Sequence, residues 1–165
     1  MGAIAQKAKG SIVYLDEMGM NDNEEYEYGW GEIGQRLYAM KKAVRSSRLS
    51  VIGALIDGKL DACGVFDGVC DRALFERYLE EILVPRLRPK QTIIMDNASF
   101  HKGGNIEAII NKAGCELLYL PSYSPDYNPI ENCWSGLKTR IRQLLPKLDN
   151  DLMAAIEKAL ALVPT

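Results

Sequence analysis

The chain has 165 residues, 47% of them apolar and 25% charged, which is the composition of one globular domain whose core needs no covalent staple. Its four cysteines lie apart without a CxxC pair and its single histidine cannot complete a zinc set, so neither a disulfide scaffold nor a structural zinc site is expected. A formal charge of -2 argues against holding nucleic acid by bulk electrostatics, and the lack of a membrane-length apolar run or a signal peptide makes a reducing, cytosolic setting the expectation.

Ser11 to Asp16 is a short run of strand formers ending in an acid, read as the first strand. Glu17 to Gln35, with four glycines and Tyr26, Tyr28 and Trp30 as its few large side chains, reads as a long loop or irregular hairpin. Charge is segregated here. Asp16 to Glu32 carries seven acids and no base, whereas Arg36 to Arg48 carries five bases and no acid. Arg48 to Ile56 and Leu60 to Phe66 are β-prone, and Asp57 and Gly58 between them suit a two-residue hairpin turn because both tolerate positive φ. Leu74, Phe75, Tyr78, Leu79, Ile82 and Leu83 then mark an amphipathic helix with Asp71 as N-cap, ended by Pro85 to Pro89. Thr92 to Asp96 is a short buried strand ending in an aspartate. A helix from Asn105 to Ala113 stops at Gly114, and Cys115 to Leu120 is a fifth strand. Pro121 to Pro129 is irregular, Ile130 to Leu145 is helical, and a last helix spans Asp151 to Leu162. The order is β-β-β-α-β-α-β-α-α, one α/β domain over residues 1–165.

In such sheets ligands gather at the carboxyl ends of strands, where Asp16 and Asp96 are expected. Glu131 opens the helix after the Pro-rich loop. If the two strands are neighbours, three carboxylates converge, and their mutual repulsion calls for retained protons or a bound cation. Oxygen-only ligands suit Mg²⁺ or Mn²⁺. Two such ions about 3.5–4 Å apart can activate a water or hydroxyl and stabilise the leaving oxygen of a phosphodiester. Each acid taken alone is more readily a turn former, a helix cap or a complement to the helix dipole.

The neighbouring residues sharpen this. Asp16 and Glu17 after a strand, Gly29 and Trp30, the run MDNASFH from Met95 to His101, and LPSYSPDYNPIENCW from Leu120 to Trp134, followed by Leu137 and Lys138, resemble the catalytic domain of the IS630/Tc1-mariner transposases. The 34 residues between Asp96 and Glu131 match the DD34E spacing of that superfamily. The resemblance implies an RNase H-like mixed five-stranded sheet flanked by helices, with Asp16, Asp96 and Glu131 as catalytic residues and ligands of two Mg²⁺ or Mn²⁺ ions. It implies cleavage at transposon ends by activated water, then attack of the freed 3′-hydroxyl on TA-containing target DNA, by a homodimer in the active complex, in a bacterial cytoplasm at the nucleoid. Such transposases carry N-terminal helix-turn-helix domains, and only 15 residues precede Asp16. End recognition is therefore expected from a separate or frameshift-joined region, and this chain is expected to bind DNA weakly, with strong salt dependence and little sequence preference.

Supporting roles are open. Asn97 and His101 either position the loop after Asp96 and touch the scissile phosphate, or cap a turn and sit exposed. Glu17 points away from Asp16 if the strand continues, and at most supports the site from behind. Ser135, Lys138 and Arg142 share a helix face with Glu131, Lys138 standing roughly 10.5 Å along it, and either guide a DNA strand or are merely solvated. Trp134 and Leu137 belong to the core. Tyr123 and Tyr127 either stack on unpaired bases or pack beneath the glutamate helix, and Arg36, Lys41, Lys42, Arg45 and Arg48 either face DNA or blunt a strand edge. The rival functions are another RNase H-like nuclease, acting on RNA hybrids or branched DNA, and a domesticated domain that binds or assembles without chemistry.

Overall fold

The computed structural model describes residues 11–21, 48–98, 101–121 and 127–163. Strand β1 (Ile12–Asn21) pairs antiparallel with β2 (Arg48–Ile56), which returns through Asp57 and Gly58 into β3 (Lys59–Asp67). Both turn residues have positive φ, 54° and 80°, the backbone that lets two strands close without splaying. Helix α1 (Arg72–Tyr78) is capped by the Asp71 carboxylate, which accepts from the Leu74 amide at 2.8 Å. The helix runs on through a wider turn (Leu79–Leu83) and a tighter one (Val84–Arg86) before β4 (Thr92–Met95). Helix α2 (Ile106–Lys112), β5 (Glu116–Tyr119), helix α3 (Ile130–Leu144) and helix α4 (Leu152–Ala161) complete the order expected from periodicity.

The sheet runs β3-β2-β1-β4-β5, with β1, β4 and β5 parallel and β2 and β3 antiparallel to their neighbours. Alternation along β1 divides the interior. Val13 and Leu15 face one core with Phe75, Tyr78, Leu79, Leu83, Ile106 and Ile110. Met18 and Met20 face another, with Ile130, Trp134, Leu137 and Ile141 of α3 and Ile156 of α4. The buried positions of α3 recur every three or four residues, and each such side chain contributes about 1.5–3 kcal/mol on leaving water. No helix among the described residues is long and apolar enough to cross a membrane.

One expectation fails. Asp16 does not end its strand: β1 continues five residues further because β2 pairs with it as far as Asn21 opposite Arg48. Glu17 therefore opens no loop, and the residues from 22 to 47, including Tyr26, Tyr28, Gly29, Trp30, Arg36, Lys41, Lys42 and Arg45, lie outside the described residues. Tyr123 lies outside them too, while Tyr127 is exposed and does not pack beneath α3.

Candidate active site

Parallel pairing sets the two aspartates side by side. The last β1–β4 pair is Tyr14 with Ile94, so Asp16 and Asp96 stand at the same level two residues further on. Asp16 points to the α3 side of the sheet and is 9% exposed. The indole Nε1 of Trp134 donates to its Oδ2 at 3.1 Å. Burial drives the Asp16 carboxyl up to about 7 against the pull of the Glu17 amide, and the charges of Glu131 and Asp96 push it further in the same direction. Trp134 was assigned to the core on periodicity alone. It is core, and it also holds the first carboxylate; its signal was that a buried indole N–H needs an acceptor.

Room for that indole comes from Gly53, the residue paired with Asp16 across β1 and β2. A Cβ there would stand 2.8 Å from Trp134 Cη2 and 3.1 Å from Cys63 Sγ.

Asp96 follows β4 directly, and among the described residues its hydrogen bonds end on Oδ1: the Ala98 amide donates at 3.1 Å and the His101 ring meets it through Nδ1 at 2.6 Å. Asp96 thus helps close the turn with its own side chain, and Asn97 lies half-buried beside it. The hydrogen bond from His101 holds the Asp96 carboxyl below the usual carboxylate range, outweighing its partial burial. His101 is not the exposed residue of the alternative reading, being 2% exposed. Its ring packs on Phe75 with centroids 4.5 Å apart, and its Nε2 meets Glu17 Oε1 at 2.5 Å. Burial alone would lower the imidazole pKa, but the Asp96 and Glu17 contacts overcome it and raise it to about 9, so the ring is an imidazolium near neutrality. Glu17 does point away from Asp16, onto the opposite face of β1.

Glu131 lies exposed in the first turn of α3, where a carboxylate complements the helix dipole. Asn128 turns its Oδ1 toward the Ile130 amide at 3.4 Å at the helix start. Ser135, Lys138 and Arg142 continue from Glu131 along the face that flanks the buried stripe, Ser135 exposed and the two cations half-buried. The structure therefore brings Asp16, Asp96 and Glu131 into electrostatic contact and leaves the other three along the helix leading from them. Among the described residues no three acidic, histidine or cysteine side chains stand in a closed ligand cluster. Asp16 is turned to Trp134 and Asp96 to His101. The donor set nevertheless fits a hard cation: it is all oxygen, and a buried carboxyl that retains its proton beside two other carboxylates is what an ion would relieve.

A family model described as DDE superfamily endonuclease matches residues 11–152. The Tcb1 transposase of Caenorhabditis briggsae is 31% identical over 101 residues, covering 59% of this chain and 37% of that protein. The Tcb2 transposase of the same organism is 29% identical over 96 residues, covering 56% and 35%. The chain thus spans little more than a third of the length of the curated relatives it matches. Among solved structures, the Mos1 strand transfer complex superposes with a TM-score of 0.63 at 15% identity, over 96% of this chain and 54% of that one. The Mos1 mariner paired end complex with Mn gives 0.62 at 15% identity, over 96% and 55%. At such identities the likeness shows the fold, the RNase H-like mixed sheet flanked by helices.

Proposed function

Because the chain belongs to the DDE superfamily endonucleases and carries a catalytic domain of the Tc1-mariner transposase type, we propose that it cuts transposon-end DNA and joins the freed 3′-hydroxyl to a TA-containing target, using Asp16, Asp96 and Glu131. What supports this is the placement of three carboxylates on β1, just past the end of β4 and in the first turn of α3, near enough for Glu131 and Asp96 to add to the burial that pushes Asp16 to about 7. In this reading the three would hold two Mg²⁺ or Mn²⁺ ions, as the Mos1 complexes described with Mn and with Mg suggest. Bound there, the ions would supply the positive charge that lets all three acids ionise together and lowers the pKa of an attacking water or 3′-hydroxyl.

The chain's own groups do the rest. Trp134 fixes the Asp16 carboxylate through its Oδ2, and among the described residues the hydrogen bonds to Asp96 fall on Oδ1, so that Oδ2 is the oxygen that would turn toward a ligand. Ser135, Lys138 and Arg142 offer a hydroxyl and two cations along the helix that carries Glu131 in its first turn, a path for successive phosphates of the cut strand. A homodimer on paired DNA ends and a bacterial cytoplasmic, nucleoid-associated setting belong to the same proposal.

The test is nicking of a transposon-end duplex with Mg²⁺ or Mn²⁺. Asp16→Asn, Asp96→Asn and Glu131→Gln should each abolish it, as should a chelator. Cutting that persists in all three variants or in chelator overturns the assignment, and preferential cutting of RNA hybrids or branched DNA would identify a different nuclease.

A further inference from the structure

We propose that Glu17 is a positioning residue for Asp96, acting across the sheet edge through the His101 ring that joins the two carboxylates. This rests on the reading of Asp96 as a metal ligand. Glu17 and Asp16 are consecutive on β1 and so point to opposite faces. Glu17 therefore cannot share an ion with its neighbour, and its carboxylate is instead spent on His101 Nε2 at 2.5 Å, while Nδ1 meets Asp96 Oδ1 at 2.6 Å.

With both nitrogens engaged and Phe75 against one face, the ring has one orientation, and any rotation breaks two hydrogen bonds. The backbone under it is held as well. Tyr119 Oη donates to the His101 carbonyl at 2.6 Å, and the His101 amide donates to the Ala98 carbonyl at 3.1 Å. Helix α1 holds the following residues, Arg72 donating to the Lys102 carbonyl at 2.9 Å and Glu76 accepting from the Asn105 amide at 2.8 Å.

An ionic triplet in which the ring is buried and the Asp96 side chain is 52% exposed contributes little net stability, because desolvation of the ring and solvent screening at Asp96 offset most of the attraction. What this one achieves is directional: it fixes which oxygen of Asp96 is committed to the protein and which is left for a ligand. Hydrogen-bonded partners behind a ligating side chain commonly set its metal affinity.

The experiment is calorimetric titration of the 165-residue chain with MnCl₂ alone, with thermal unfolding followed in parallel. Glu17→Ala and His101→Ala should each weaken Mn²⁺ binding about tenfold. The double variant should bind no more weakly than His101→Ala, since both act through one ring. Glu17→Gln, which keeps an acceptor for Nε2, should recover most of the affinity. A merely structural role would shift the unfolding temperature and leave Mn²⁺ affinity alone. Wild-type affinity in Glu17→Ala, or losses that multiply in the double variant, would overturn the proposal. Should His101→Ala not fold, the contrast between Glu17→Ala and Glu17→Gln at this partly exposed position decides. Affinity lost in Asp96→Asn but intact in Glu17→Ala sinks the positioning role alone, whereas an unsubstituted chain that binds no Mn²⁺ sinks the metal reading with it.

Discussion

Asp16 carries the clearest conflict between stability and chemistry. Without a cation, its carboxyl titrates near 7 in the folded chain, mainly because it is buried, against 3.8 when free. The folded state then binds more protons than the unfolded one between those values, so stability falls as pH rises from about 4 to 7 and the cost is fully present above. His101 adds to the trend higher up, since its folded value near 9 exceeds the ordinary 6.5, and the stability it contributes is lost as pH rises through that window. Asp96, held low, acts in reverse and weakens the fold only as pH drops below the usual carboxylate range. Asp16→Asn should therefore stabilise the metal-free chain at pH 8 by on the order of 1–3 kcal/mol and much less at pH 4, as urea melts at the two values would show. A variant less stable than the parent at pH 8 contradicts this. The places of Asp96 just after a strand and of Glu131 in a first helical turn were legible from local pattern, whereas Asp16 stands inside its strand and not at the end expected for it. Nor was the Trp134 bond to Asp16 legible, since helical period places the indole in the core without saying which strand lies beneath it.

At the scale of elements, Gly53 matters because β2 must let α3 approach Asp16. A methyl group at this position meets the Trp134 ring at 2.8 Å, too close for any real contact, and the ring belongs to the helix that carries Glu131 in its first turn. Gly53→Ala should cost about 1–3 kcal/mol through overpacking and reduce strand cutting more than it reduces DNA affinity, because it disturbs the Trp134 hydrogen bond that holds Asp16 while removing no cation. Denaturant melts beside single-turnover assays would check both parts; an unaffected cutting rate contradicts the argument. The Asp71 cap and the helical periods made most elements readable, Asp71 being found accepting from the Leu74 amide; Asp151, read as the first residue of the last helix, proves to cap it through the Ala154 amide. The end of β1 escaped because Glu17, Gly19 and Asn21 are poor strand formers, held extended by the pairing of β2 rather than by local preference.

For the whole molecule, a charge of -2 matters less than where the cations lie. If Lys138 and Arg142 meet phosphates, Lys138→Ala with Arg142→Ala should shrink the slope of log affinity against log salt by roughly 1.8, at about 0.9 per phosphate. Fluorescence anisotropy on a duplex measures it, and an unchanged slope removes them from the DNA path. Fold class was legible because strand and helix periods differ. Sheet order and the sides on which the helices lie depend on long-range pairing that no local pattern encodes. The continuation of β1 past Asp16 has a further consequence. Asp16 lies in the middle of the β1–β2 ladder, opposite Gly53 and two residues past the last β1–β4 pair, so it opens only when that ladder does. Asp96 sits just beyond a four-residue strand and Glu131 in the opening turn of a helix, places where a protein frays first. The three corners of the site thus differ in permanence: one belongs to the global fold and two to its margins, so the site can come apart and reassemble while the molecule stays folded.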